Sequence, residues 1–317
     1  MQYRDIAGKK AAKIAFGSTY FGGKVPESMC RELLDTYRAM GGNFIDTAHV
    51  YGDFATPRNG VSERVIGKWM SDRHLTNEIF LSTKGAHHVL GTPSLGRLSR
   101  EEIKRDMSES LEALMCERVD IYWLHRDNPA CSVGEVMETL HELVESGQTR
   151  LIGASNWSVK RITEANDYAV SHGLTPFYGN QPRFSLPEQG RPEDASLVGA
   201  DAEMVEMHRR TQMLMTPFSS QAHGFLSKLD EMGTEAYAAR YGSKLLSEEN
   251  LGIYRRCKEV SKAAGLSVGA IGLLWLCGQD FPLVPLVGAS RPEQLSNVAE
   301  AADAVLTKEQ IEYIRRV

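Results

Sequence analysis

Several common signatures are missing from this 317-residue sequence. Its five cysteines, Cys30, Cys116, Cys131, Cys257 and Cys277, are dispersed and never form a C-x-x-C pair, so neither a disulfide framework nor a zinc knuckle is suggested. A reducing compartment is the natural expectation. No apolar run approaches the ~20 residues needed to span a bilayer. The opening MQYRDIAGKK also lacks the apolar segment of a secretory signal. A cytoplasmic protein is therefore expected. An excess of basic residues is absent too. The balance of 36 Lys+Arg against 41 Asp+Glu gives a net charge of −5, which argues against nucleic acid as the main partner. Finally, the chain contains no G-x-G triplet, the usual mark of a dinucleotide site in an open doubly wound sheet.

What is present is alternation. Short β-prone apolar runs recur at 13–16, 43–46, 79–83, 119–124, 150–154, 177–180, 213–216 and 283–287, eight in all. Between them lie segments of helical period, at 28–40, 62–71, 99–115, 133–146, 159–172, 251–264 and 267–277. Ser99 with Glu102 makes a capping-box pattern, and Ser267 opens another helical run. Strand–helix alternation implies a parallel sheet, and runs such as VDIYWL and LVPLV read as strands buried on both faces. Eight units in a chain of this length suit an α/β fold, a closed (β/α)8 TIM barrel, as one domain over residues 1–317. Residues 1–7 and 11–16, flanking Gly8-Lys9-Lys10, suggest an N-terminal β-hairpin that plugs one end. The polar stretches 185–202 and 229–249 read as long loops carrying some helix.

In such a barrel the active site is built at the C-terminal ends of the strands. Polar residues stand there repeatedly: Asp46, with Tyr51 five residues on, Lys84, His125, Ser155-Asn156, Asn180-Gln181, and 218–221 after the seventh run. Any one of these has an ordinary reading as a cap or turn residue, but jointly they make a chemical set. A tyrosine acts as a general acid near neutrality only if a cation stabilises its phenolate. Lys84 would be that cation, with Asp46 as the carboxylate partner that keeps it charged when buried. His125 adds a second donor to a substrate oxygen. Together Tyr51 and His125 suit a carbonyl oxygen gaining charge as hydride is delivered, without a metal.

These motifs resemble the aldo-keto reductase family over nearly the whole chain: GGNFIDTAHVYGD with Asp46 and Tyr51, LSTKG with Lys84, DIYWLHRDNP with His125, IGASNW, NQ at 180–181, and PLVGASRPEQLSNVAEA. The resemblance makes Asp46, Tyr51, Lys84 and His125 the catalytic tetrad, and NADP(H) the cofactor, bound across the barrel mouth. Ser155, Asn156 and Gln181 would hold the nicotinamide carboxamide, with Asp46 also among the cofactor contacts. Phe218, where the family usually has Tyr, would stack on the ring. Ser219, Gln221 and Gly224 would approach the pyrophosphate, and Gly17, Ser18 and Thr19 would lie beside the cofactor. A 2′-phosphate needs cationic donors and helix N-terminal amides. Gly288, Ser290 and Arg291 offer these, with Gln294 and Asn297 one and two turns on, so NADPH is favoured over NADH.

The implied activity is NADPH-dependent reduction of an aldehyde or ketone, with sugars among the family's substrates, and no metal, membrane or nucleic-acid partner. An alternative of another class is an NADPH-binding regulatory subunit resembling potassium-channel β subunits. Tyr20, Phe21, His49, Phe54, Trp157 and Phe184 are candidate pocket-mouth residues, with packing an equal reading for each. The Tyr20–Lys24 match to Y-x-x-x-K lacks a preceding nucleotide-binding unit, and His141-Glu142 is followed by Glu145 where H-E-x-x-H needs histidine.

Overall fold

Eight parallel strands run in the order β10-β3-β4-β5-β6-β7-β8-β9 in the computed structural model, which describes residues 1–52, 60–89, 92 and 95–315. They are β3 (Ala15–Gly17), β4 (Phe44–Asp46), β5 (Phe80–Gly85), β6 (Val119–Leu124), β7 (Thr149–Ser155), β8 (Gly179–Gln181), β9 (Leu214–Met215) and β10 (Leu286–Val287). The sheet curls until its edges meet. Strand β10 pairs with β3, while Met215 bridges to Leu283 and exchanges backbone bonds with Pro282 and Val284. This is a (β/α)8 barrel, as the alternating pattern implied. Every residue of β6 is buried, which is why its sequence reads as an unbroken apolar run rather than an alternating one.

The barrel interior is packed with Phe44, Phe80, Ile121, Trp123, Leu214 and Val284. Trp123 is the largest of these, and two glycines make room for it. A Cβ on Gly153 would stand 2.3 Å from the indole, and one on Gly179 would stand 2.9 Å from it. Side chains on these adjacent strands would evict the ring.

The N-terminal hairpin closes the base. It consists of β1 (Tyr3–Ile6) and β2 (Lys9–Ala12), joined through Ala7 and Gly8, both at positive φ. Lys9 and Lys10 thus lie in the second strand, not in the turn, and the residues after Ala12 lead into the barrel strand β3. Ile6, Ala11 and Ala12 join the interior cluster from below. Lys9 reaches Asp120 at 2.8 Å and Arg150 reaches the same carboxylate at 3.0 Å, tying the plug to the bottoms of β6 and β7.

Outside the barrel, α1 (Glu27–Ala39), α2 (Val61–Asp72), α3 (Arg100–Leu114), α4 (Val133–Glu145) and α5 (Val159–Ser171) match the periodic segments closely. Ser99 caps α3 by accepting from the Glu102 amide, as its sequence suggested. Two stretches hold more helix than the sequence pattern indicated. A helix α6 (Ala202–Thr211), capped by Asp201, stands between β8 and β9. The segment from Leu229, read as a long loop carrying some helix, is largely α7 (Phe225–Tyr241), bent at Gly233, followed by α8 (Glu248–Ala264). Helix α7 buries only Phe225, Leu226, Leu229 and Tyr237, too sparse a stripe to give a clear period. Helices α9 (Val268–Cys277), α10 (Ser296–Ala301) and α11 (Lys308–Arg315) complete the shell. Among the described residues no single helix is long and apolar enough to cross a membrane.

Candidate active site

Lys84 and Asp46 end neighbouring parallel strands and point into the C-terminal mouth. Both side chains are 1 % exposed, and the ammonium lies 2.5 Å from Asp46 Oδ2. Lys84 Nζ also donates to the Thr47 carbonyl at 2.6 Å. Asp46 Oδ1 accepts from Ser82 Oγ at 2.7 Å and from Gln181 Nε2 at 3.2 Å, so both of its oxygens are occupied. Ser82 and Lys84 are two residues apart on β5 and therefore share its inward face. Burial alone would lower the Lys84 pKa, but the Asp46 carboxylate and then Tyr51 outweigh it, and the ammonium ends above its ordinary value. The cation is thus kept charged in a dry setting.

Tyr51 lies directly over it. Lys84 Nζ is 4.5 Å from the centroid of the Tyr51 ring, and that ring meets His125 edge-on at 5.6 Å between centroids. The segment that carries Tyr51 is pinned by backbone bonds from His49 N to Lys84 O (2.9 Å) and from Tyr51 N to Ala48 O (3.0 Å). His49 itself turns away from the mouth, its Nε2 2.7 Å from Glu109 Oε2 on α3. His125 follows β6. Burial first, then the neighbouring His87, Arg126 and Lys84, hold its pKa well below the usual histidine value, so the ring is neutral. Its Nδ1 is buried without a partner among the described residues. A neutral imidazole beside the tyrosine offers one N–H donor to an oxygen between them.

The same environment acts on His87, 4.7 Å from His125 and stacked on His88 at 4.1 Å. Burial, followed by Arg126, pushes His87 down to about 3. Above pH ~6.5 neither the folded nor the unfolded form is charged and there is no penalty. Below it the unfolded chain takes up protons that the folded protein refuses, so stability falls as pH falls. Urea denaturation is expected to show this loss between pH ~6.5 and ~4, at up to about 1.4 kcal/mol per pH unit for His87. His87→Gln should flatten that dependence. An unchanged slope would remove His87 from the account.

Around the rim, Ser155 Oγ donates to Gln181 O at 2.8 Å, and Asn156 Nδ2 donates to His125 O at 3.1 Å. Asn156 sits at φ 62°, and its Oδ1 accepts from Val198 N at 3.1 Å. Gln181 Nε2 donates to Thr216 as well as to Asp46. Phe218, partly buried just past β9, is backbone-bonded to Pro182 and packs against the barrel's interior cluster. The chain through Ser219, Ala222, His223 and Gly224 runs repeatedly through positive φ into the start of α7. Gly17 and Ser18 lie at the end of β3, with Ser18 Oγ bonded to Asp46 O at 3.1 Å; Thr19 follows in the adjoining turn.

After β10, one oxygen gathers three donors. Gln294 Oε1 accepts from Ser290 N (2.7 Å), Ser290 Oγ (3.1 Å) and Arg291 N (3.2 Å). Arg291 is exposed beside it and Gly288 precedes it, while Pro292 opens the helical turn. This donor set fits an anionic phosphate oxygen. Asn297 is engaged elsewhere, bridging Ser227 and Ser267.

Of the candidates for the pocket mouth, Phe21 and Trp157 take the packing reading and lie in the core. Phe21 packs on Phe16, and Trp157 packs edge-on against Phe177. Phe184 packs against Trp275, His49 faces Glu109, and Tyr20 is half exposed under Lys24. Phe54 lies outside the described residues. Sequence reasoning passed over Ser82, Thr216 and Arg126. The signal for Ser82 was its position two residues before Lys84 on one strand.

Comparison with known proteins agrees with this geometry. The sequence pattern of the aldo/keto reductase family matches residues 13–317. A protein of Saccharomyces cerevisiae named as a probable aryl-alcohol dehydrogenase is 30% identical over 308 residues, covering 93% of this chain and 89% of that one. An aryl-alcohol dehydrogenase of Pestalotiopsis microspora is 27% identical, covering 96% of this chain and 76% of its own length. A norsolorinic acid reductase of Emericella nidulans is 26% identical, covering 96% and 78%. The chain belongs to the aldo/keto reductase family, a family of oxidoreductases.

Proposed function

We propose that this protein is an NADPH-dependent reductase of aldehydes and ketones, with aromatic carbonyl compounds as its substrate class. The observation that carries the reading is the buried Lys84–Asp46 pair set beneath Tyr51, with the neutral His125 alongside. NADPH, when bound, supplies hydride. Tyr51 then gives its proton to the carbonyl oxygen, and Lys84, held charged by Asp46, stabilises the phenolate left behind. His125 donates to the same oxygen and fixes the carbonyl's orientation. The names of the relatives, aryl-alcohol dehydrogenases and a norsolorinic acid reductase, support aromatic substrates.

Ser155, Asn156, Gln181 and Phe218 are the residues that would hold the nicotinamide, and the Ser290–Arg291 corner would hold the 2′-phosphate. Loss of NADPH absorbance with a panel of aromatic aldehydes tests the activity. NADPH and NADH run in parallel test the cofactor. Arg291→Glu is expected to raise KM for NADPH by ~10- to 100-fold, the scale of a lost charge-assisted contact, and to leave KM for NADH nearly unchanged. Equal effects on the two cofactors would remove the 2′-phosphate from that corner.

A further inference from the structure

The residue after His125 is an arginine whose charge helps keep that histidine neutral but whose donors the chemistry above does not use. Arg126 is only 7 % exposed although it stands at the mouth. Its Nε donates to Ser196 Oγ at 3.0 Å and its Nη1 to the His125 carbonyl at 2.9 Å, both neutral acceptors. Among the described residues no carboxylate reaches it at ion-pair distance. Asp194 attracts it from farther off, but Asp194 Oδ1 is taken by Ser196 N (2.8 Å) and Ser196 Oγ (2.7 Å). A desolvated guanidinium is costly unless it is paired. Here two donors brace the fork from behind, and the outer Nη2 has no bond to any described residue.

The surroundings specify what would complete it. Tyr51 lies close enough to interact with the guanidinium electrostatically. The His87 ring stacks on His88 and meets His125 edge-on, so three aromatic rings, all biased toward neutrality by burial, stand close enough to Arg126 to feel its charge. An aryl group packs well beside aromatic rings, and a planar fork pairs best with a carboxylate.

We propose that Arg126 is a specificity-determining residue that binds a carboxylate on the aromatic carbonyl substrate. The preferred substrates are therefore formylbenzoate-type acids rather than neutral aryl aldehydes. This rests on the reductase reading for turnover but not for binding.

The test compares para-carboxybenzaldehyde with para-methylbenzaldehyde in the wild type, Arg126→Gln and Arg126→Lys, and adds calorimetric titration of each protein with benzoate. The wild type is expected to favour the carboxylate in kcat/KM by ~10- to 100-fold, the range of a charge-assisted bidentate contact. Arg126→Gln should bring that ratio near one by raising KM for the acid far more than KM for the methyl compound. Arg126→Lys should restore part of the preference. A wild type that prefers the methyl compound, or an Arg126→Gln variant that loses both substrates equally, overturns the proposal and leaves Arg126 as a brace for the 194–199 loop. If no aldehyde turns over, the reductase reading fails, yet benzoate binding that disappears in Arg126→Gln still supports the carboxylate site. Benzoate binding alike in both proteins overturns it.

Discussion

Tyr51→Phe is expected to lower kcat/KM for any aromatic aldehyde by ~10²- to 10⁴-fold, the contribution of a positioned general acid. The substitution removes one oxygen and keeps the ring. The contacts of that ring with Lys84, at 4.5 Å from its centroid, and with His125 persist. The fold and the tightness of NADPH binding should therefore be those of the wild type. Steady-state rates and quenching of tryptophan fluorescence by NADPH separate the two effects. If the variant were as active as the wild type, the proton would have to come from elsewhere, and His125, held neutral by burial and nearby cations, would be the next group to examine.

Lys84→Met carries the second large effect, and it acts on stability and rate together. In the wild type a buried carboxylate and a buried ammonium cancel at 2.5 Å. Removing the cation leaves Asp46 in the same dry pocket with only the Ser82 hydroxyl and the Gln181 amide as donors. Breaking one partner of a buried pair costs about 3–5 kcal/mol, because the remaining charge is uncompensated. Thermal or urea unfolding should register that loss. Activity should fall by ~10²-fold or more, since the phenolate formed at Tyr51 loses its stabilising charge. The double variant Asp46→Asn with Lys84→Met should recover most of the stability and none of the rate. This recovery separates the electrostatic account from simple loss of packing. A double variant as unstable as the single one would contradict it.

Strands with both faces buried announced themselves in the sequence: β6 is buried throughout and reads as one apolar run. The convergence of Asp46, Tyr51, Lys84 and His125 was legible for a related reason, because a barrel places residues that follow strand ends in a common mouth, so polar residues at those points meet without any knowledge of angles. Side-chain direction was not legible. His49, between Asp46 and Tyr51, turns outward to Glu109, and Trp157, next to Asn156, packs against Phe177. A residue next to a site residue in sequence points elsewhere when the backbone turns, as it does at Asn156 with φ 62°. The extent of helix α7 was not legible, because its apolar stripe is sparse. Arg126 was missed because a charged residue after a strand reads as solvated, and only its burial sets it apart.

The most direct test of the account is transfer of label. Incubating the protein with an aromatic aldehyde and NADPH deuterated at the transferable position should give an alcohol with deuterium on the carbinol carbon, with wild-type Tyr51 required for its formation. NADPH that binds and quenches the tryptophans, yet yields no deuterated alcohol from any aldehyde or ketone offered, would contradict carbonyl reduction and point to a nucleotide-binding role for this barrel.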